Sequence, residues 1–244
     1  MADTNYSTNA IKIIDGALRA IGVLRSGDTS NNDLTIQNDC LEALNLMVKN
    51  FQNYGIEQWL RKTYTISNLT AYKSNYTIGF ANTNDITTNT SANNSLSGIP
   101  ERIVQAYVTP QANVDVECMV ISMSEYWQLA NKEATGTPNQ VAYYFQNNQS
   151  KLYVWPVPST NTYHLTFVYH KPYDDLDSNV DIPDFPQRWF EALKWNLAVR
   201  LAPEFGRPIT PEMTYLAQST LDNAIDMGYE EQSVYFTPDS RRSR

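Results

Sequence analysis

The sequence predicts an α+β fold: a helical domain built from both chain ends, with about four helices, and an antiparallel β domain inserted between them. Three observations predict it. Apolar residues recur at helical spacing in the first sixty residues and again after residue 186. Between them lie short runs rich in Tyr, Thr, Val and Ile, separated by turn residues. No internal repeat breaks this helix–sheet–helix order.

The first helix is expected over residues 8–25. Ile11, Ile14, Leu18 and Ile21 form its stripe, Ser7, Thr8 and Asn9 offer caps, and Ser26-Gly27-Asp28 ends it. The second runs from about Leu34 to Tyr54, with Leu41, Leu44, Val48 and Phe51 on one face and Gly55 as its C′ residue. Their short joint favours an antiparallel pair.

Strands follow at 63–67, 76–80 and 103–108, then at 141–146, 152–155 and 163–170. Residues 82–98, rich in Asn, Thr and Ser, have no apolar period and read as a long mobile loop. Ser122 and Glu125 have capping-box spacing and open a short helix. Pro183 and Pro186 precede a helix over about 187–202, where Pro203 cannot continue smoothly and Gly206 suits the exit. Thr210-Pro211 is an N-cap with Pro at the first helical position, opening a last helix to about Met227. The tail from Tyr229 shows no helical period and is expected to be extended. The domains are thus 1–60 with 182–228 (helical), 61–181 (β) and 229–244 (arm).

The 187–202 helix has two apolar faces. Phe190, Leu193, Leu197 and Leu201 make one; Ala192, Trp195, Val199 and Ala202 make the other. A surface helix needs one such face. This helix is therefore either central to its own domain or shared with a neighbouring subunit. In the second case Trp189, Trp195 and Val199 are subunit contacts, the tryptophans acting as anchors. In the first they only fill the core.

Charge and chemistry narrow the function. With 26 acidic and 18 basic side chains the formal net charge is −8. That opposes a protein that grips phosphates, but suits a wall past which DNA slides. Sixteen tyrosines favour protein interfaces. Two cysteines, Cys40 and Cys118, make no disulfide framework and fit assembly in a reducing cytoplasm. The N-terminus lacks a signal-peptide pattern, and no run is long enough for a membrane span.

No catalytic site and no cofactor is expected. His164 and His170 sit about 20 Å apart along a strand, too far to share a metal. Asp175, Asp177 and Asn179 match the first ligand positions of a calcium loop, but Val180 stands where Gly is needed and Pro186 where Glu is needed. No metal is expected there, and the run reads as a solvated linker. Nucleophile-elbow, phosphate-loop and Cys/His patterns do not occur. At the C-terminus, Val234, Tyr235 and Phe236 precede Arg241, Arg242 and Arg244. An extended arm with apolar anchors and a basic tip can dock on an acidic groove or add a strand to a sheet; otherwise it is a frayed end.

Three stretches carry a resemblance: IIDGALRAIGVLRSGDT with LEALNLMVKNFQNYGI, then KLYVWPVPSTNTYHLTFVYHKPYDDLD, then DIPDFPQRWFEALKWNLAVRLAPEFG. In order and spacing the chain resembles the head-to-tail adaptors of short-tailed bacteriophages (podoviruses), also called tail tubular protein A or packaged-DNA stabilisation proteins. The resemblance implies a virion structural protein without enzymatic activity. It implies a twelve-fold homo-oligomeric ring at the head–tail junction, between the portal ring and the tail nozzle, assembled in the host cytoplasm. The ring would extend the DNA channel without sequence-specific binding, help retain and eject the genome, and offer a platform to tail fibres. The helical domain would build the ring and the β domain would face the nozzle. The arm, through Val234–Phe236 and its arginines, would reach the portal. The large β insertion and the 82–98 segment depart from simpler members of that family. Two other readings stay open: a carbohydrate- or fibre-binding tail module, and a virion cell-wall hydrolase.

Overall fold

The computed structural model describes residues 6–30, 33–54, 58–81, 83–88, 96–110 and 114–226. The first elements are α1 (Ala10–Ala20), α2 (Leu34–Phe51), β1 (Arg61–Ile66), β2 (Asn75–Gly79), β3 (Ile86–Thr87), β4 (Arg102–Thr109) and β5 (Val116–Ile121). Next come α3 (Met123–Gln128), β6 (Thr135–Gly136), β7 (Gln140–Tyr144), β8 (Gln149–Trp155), β9 (Val157–Pro158) and β10 (His164–His170). The chain closes on α4 (Phe190–Glu204) and α5 (Pro211–Asp226). It divides into two compact units, Met1–Gln58 with Leu176–Arg244, and Trp59–Asp175.

In the first unit α4 packs against α1, α2 and α5. Local chemistry sets the ends of these helices. α1 stops at Gly22, earlier than the Ser26-Gly27-Asp28 expected, because Gly22 takes φ +72°. The Gly22 and Val23 N–H groups then donate back to Arg19 and Leu18, which satisfies the last carbonyls. The N-terminal donors of α1 are met from the 174–181 run: Ala10 and Ile11 donate to the carbonyls of Asp181 and Asn179. That run is fastened rather than a freely solvated linker, since Asn45 also clamps both backbone groups of Leu176 at 2.9 Å.

Asp33 caps α2 through Thr35 and Ile36. The expected C′ residue Gly55 lies outside the described residues. Pro203 sits in the last turn of α4, where it is tolerated for one more residue. The helix then exits at Gly206, φ +61°, with Arg207 donating to Ala202. Thr210 Oγ1 accepts from Met213 and opens α5.

In the second unit eight strands form one sheet in the order β1-β10-β4-β5-β7-β8-β2-β3. The expectation of an antiparallel β domain is corrected: the sheet is mixed. β5 runs parallel to β7 and β2 parallel to β3, while the other pairs are antiparallel. Parallel neighbours need a crossover, and the 122–139 segment with α3 supplies it between β5 and β7. One cluster fills the core, including Ile78, Val108, Val141, Leu152, Leu165 and Phe167. The 82–98 segment also departs from expectation. Ile86 and Leu96 are buried in this cluster, and Thr88 bridges Leu96. Residues 82 and 89–95 lie outside the described residues.

Candidate interaction surfaces

Because α4 touches three other helices, much of both apolar faces packs within its own unit. Leu193, Leu197 and Leu201 are buried on one side, and Ala192 and Ala202 on the other. Asn196 secures the contact with α5, its amide donating to Ala192 at 2.9 Å and to Ala217 at 3.0 Å. Gly16 of α1 lies so close to α4 that a Cβ there would stand 3.4 Å from Lys194. Within its own unit α4 is therefore a central helix, while Trp195 and Val199 on its second face keep part of their surface.

The three residues assigned to a subunit contact are placed differently. Trp189 is 1% exposed and packs its ring against Phe51 and Phe185 at 5.9 and 5.7 Å. It is occupied by its own unit. Trp195 and Val199 are half-buried one turn apart on α4, with Lys194 Nζ 4.8 Å over the Trp195 ring. These two retain surface for a neighbour. The arm residues Val234, Tyr235, Phe236, Arg241, Arg242 and Arg244 lie outside the described residues.

Two surfaces of the β unit were not singled out by sequence reasoning. One is aromatic: Trp127, 59% exposed at the end of α3, stands edge-on to Tyr126 and Tyr153, with Lys132 over its ring. Lys132 is itself pinned by the carbonyls of Trp127 and Leu129. The Ser122–Glu125 capping box, present with both bonds, positions this helix. Hydrogen bonds from the Ser122 backbone and hydroxyl hold the Glu125 carboxyl below its usual range.

The other surface is a split in the sheet. β4 pairs with β5 only over Ala106–Val108 and Val116–Cys118. From Met119 onward β5 follows β7 instead. A groove of about 490 Å³ opens there, lined by Val104–Tyr107, Asp115 and Glu117–Val120. Met119 is 63% exposed on it. Among the described residues two acidic and no basic side chains line it. The sequence signal for β5 is weak, since Glu117 interrupts its apolar run.

Chemistry at the remaining reactive groups is quiet. Burial pushes the Cys118 thiol up to about 12. Burial does the same to Cys40, again to about 12, helped by Glu204, Asp39 and Asp15. A thiol held protonated is a poor nucleophile. His164 Nδ1 accepts from the Asn68 N–H, and His170 is buried at the opposite end of β10. Among the described residues no group of three or more His, Cys, Asp or Glu gathers as a metal site. No helix among them is long and apolar enough to cross a membrane.

A family model described as SU10 adaptor protein matches residues 8–242, through the helices, the β unit and most of the tail. The chain belongs to the SU10 adaptor family. It is thus a phage head-to-tail adaptor with a structural role at the virion head–tail junction, and its partners are portal and tail proteins. No curated protein matches the chain in sequence.

Proposed function

We propose that copies of this adaptor form a ring of twelve beneath the portal of a short-tailed phage, prolonging the DNA channel toward the nozzle. The match across residues 8–242 carries this reading. The helical residues 1–60 and 182–228 build the ring, with Trp195 and Val199 of α4 at the subunit contact and Trp189 stiffening it from within. The β residues 61–181 meet the nozzle and offer ground for tail fibres. The net charge of −8 keeps passing DNA from sticking, because like charge repels phosphate. The ring thereby helps retain the genome after packaging and lets it leave on ejection.

The arm, residues 229–244, docks on the portal through Val234, Tyr235 and Phe236, with Arg241, Arg242 and Arg244 at its tip. Ordering such a segment costs conformational entropy, so attachment depends on the template being present. Repeated contacts around the ring then add up although each is weak. Deleting 229–244 is expected to leave the fold intact by circular dichroism and to abolish portal attachment in co-sedimentation. Attachment by the truncated chain at full strength would sink the portal role of the arm.

A further inference from the structure

We propose that the split between β4 and β5 receives the C-terminal segment 227–244 of a second copy as an added strand. The geometry asks for a strand. Arg102–Gln105 of β4 and Met119–Ile121 of β5 have left each other's ladder, so two strand edges diverge around the groove. Backbone N–H and C=O groups along such edges are obligatory hydrogen-bonding groups, and an extended peptide is the partner that satisfies them in series.

The side chains specify which strand. Val104, Tyr107 and the exposed Met119 offer apolar contact, and Asp115 and Glu117 set a negative charge with no lysine or arginine in the lining. The chain carries a complementary stretch in residues 234–244, where three arginines outweigh Asp239, while Glu230 and Glu231 lie ahead of it. Val234-Tyr235-Phe236 is a short apolar run of good strand formers, followed by Arg241, Arg242 and Arg244. Eighteen residues follow the end of α5 at Asp226. Extended, they span about 60 Å, enough to reach another molecule. A contact from the arm of one copy to the groove of the next is head-to-tail, so it propagates from copy to copy. The arm then has successive partners: a second copy while no portal is present, and the portal afterwards.

The test uses the chain ending at residue 226 and a fluorescent synthetic peptide of residues 227–244, followed by anisotropy. Saturable binding is expected. It should weaken at least about tenfold when Asp115 and Glu117 are both changed to Lys, and fall with added salt, as an exposed charge contact must. A peptide with Arg241, Arg242 and Arg244 changed to Glu should fail to bind, a result independent of how the protein variant folds. Sedimentation of the full chain alone should show association that grows with concentration and vanishes on removal of 227–244. Absence of saturable binding, or binding indifferent to both sets of changes, overturns the proposal. So does a full chain that stays monomeric while its truncated form binds the peptide. No portal is present in either measurement, so failure here is distinguishable from failure of the adaptor reading.

Discussion

The helical unit ends its helices with local turns, although α1 starts on the distant Asp181 and Asn179 carbonyls, whereas the β unit closes its elements mainly between strands. α1 and α4 end on glycines at positive φ, with hydrogen bonds that reach back only a few residues. The β unit depends on partners far apart. The Ser97 N–H donates to the Tyr169 hydroxyl across 72 positions, Leu69 donates to Tyr163, and β5 turns from one neighbour to another in mid-strand. Local turns give α1 and α4 sharp C-terminal ends. Distant closure gives the sheet a place where two strands part. The difference teaches where an assembly protein keeps its contacts: α4, at the helical centre, is largely spent on its own unit, whereas the sheet retains an acidic split and an aromatic corner.

The largest test of this contrast removes one buried ring from each unit. Phe167 is 0% and Trp189 1% exposed, so truncating either to Ala should cost about 3–5 kcal/mol in chemical denaturation. Because Trp189 is held by rings of its own unit, that loss should appear in the isolated chain, without any partner. A Trp189→Ala variant as stable as the parent would instead return this residue to an intermolecular role.

A smaller effect is expected at Gly79. A Cβ there would meet Asn84 Nδ2 at 2.6 Å and the Asn148 carbonyl at 2.8 Å, and the carbonyl cannot swing away. Gly79→Ala should cost about 1–3 kcal/mol by overpacking. It should raise hydrogen exchange in β2 and its neighbours while leaving α4 unchanged.

The caps come next. Asp33→Ala removes the acceptor for Thr35 and Ile36, and Ser122→Ala removes half of the capping box. Each should lower stability by about 1 kcal/mol. Their effects on exchange should stay close to α2 and α3, as local closure requires. Protection lost throughout the sheet in Ser122→Ala would show that α3 matters to the sheet beyond its own cap.

The smallest effect concerns pH. Burial raises the Asp85 carboxyl, but the ion pair with Lys73 and the hydrogen bonds from Thr77 outweigh it and hold the group below its usual range. A carboxyl depressed in the folded state stabilises above its unfolded pKa, and that contribution is lost as pH falls through the folded value. The segment around β3 should therefore loosen in acid before the rest of the sheet. Asp85→Asn should remove this difference, read by amide chemical shifts of Thr77 and Asp85 against pH.

What could be read from the sequence follows the same division. The Ser122–Glu125 box, Thr210-Pro211 and the Gly206 exit all act within one turn, and each is present. The apolar stripe overruns α1, since Ile21 continues it while Gly22 already takes the left-handed turn. β5 is hard to read because the charged Glu117 interrupts its apolar run. Ile86 and Leu96 escaped because single apolar residues in a polar stretch make no period, although both are buried. Strand polarity is absent from any period-two pattern, which is why the parallel pairs were not foreseen. For the surfaces, the second face of α4 was visible as Trp195 and Val199. The acidic groove was not, since it exists only where the β4–β5 register ends.

The most direct test of the adaptor account is the mass in solution, by light scattering, of the full chain mixed with the portal ring of its phage. The account predicts a discrete complex of portal with a ring of adaptor copies. A chain that leaves the portal's mass unchanged would contradict it.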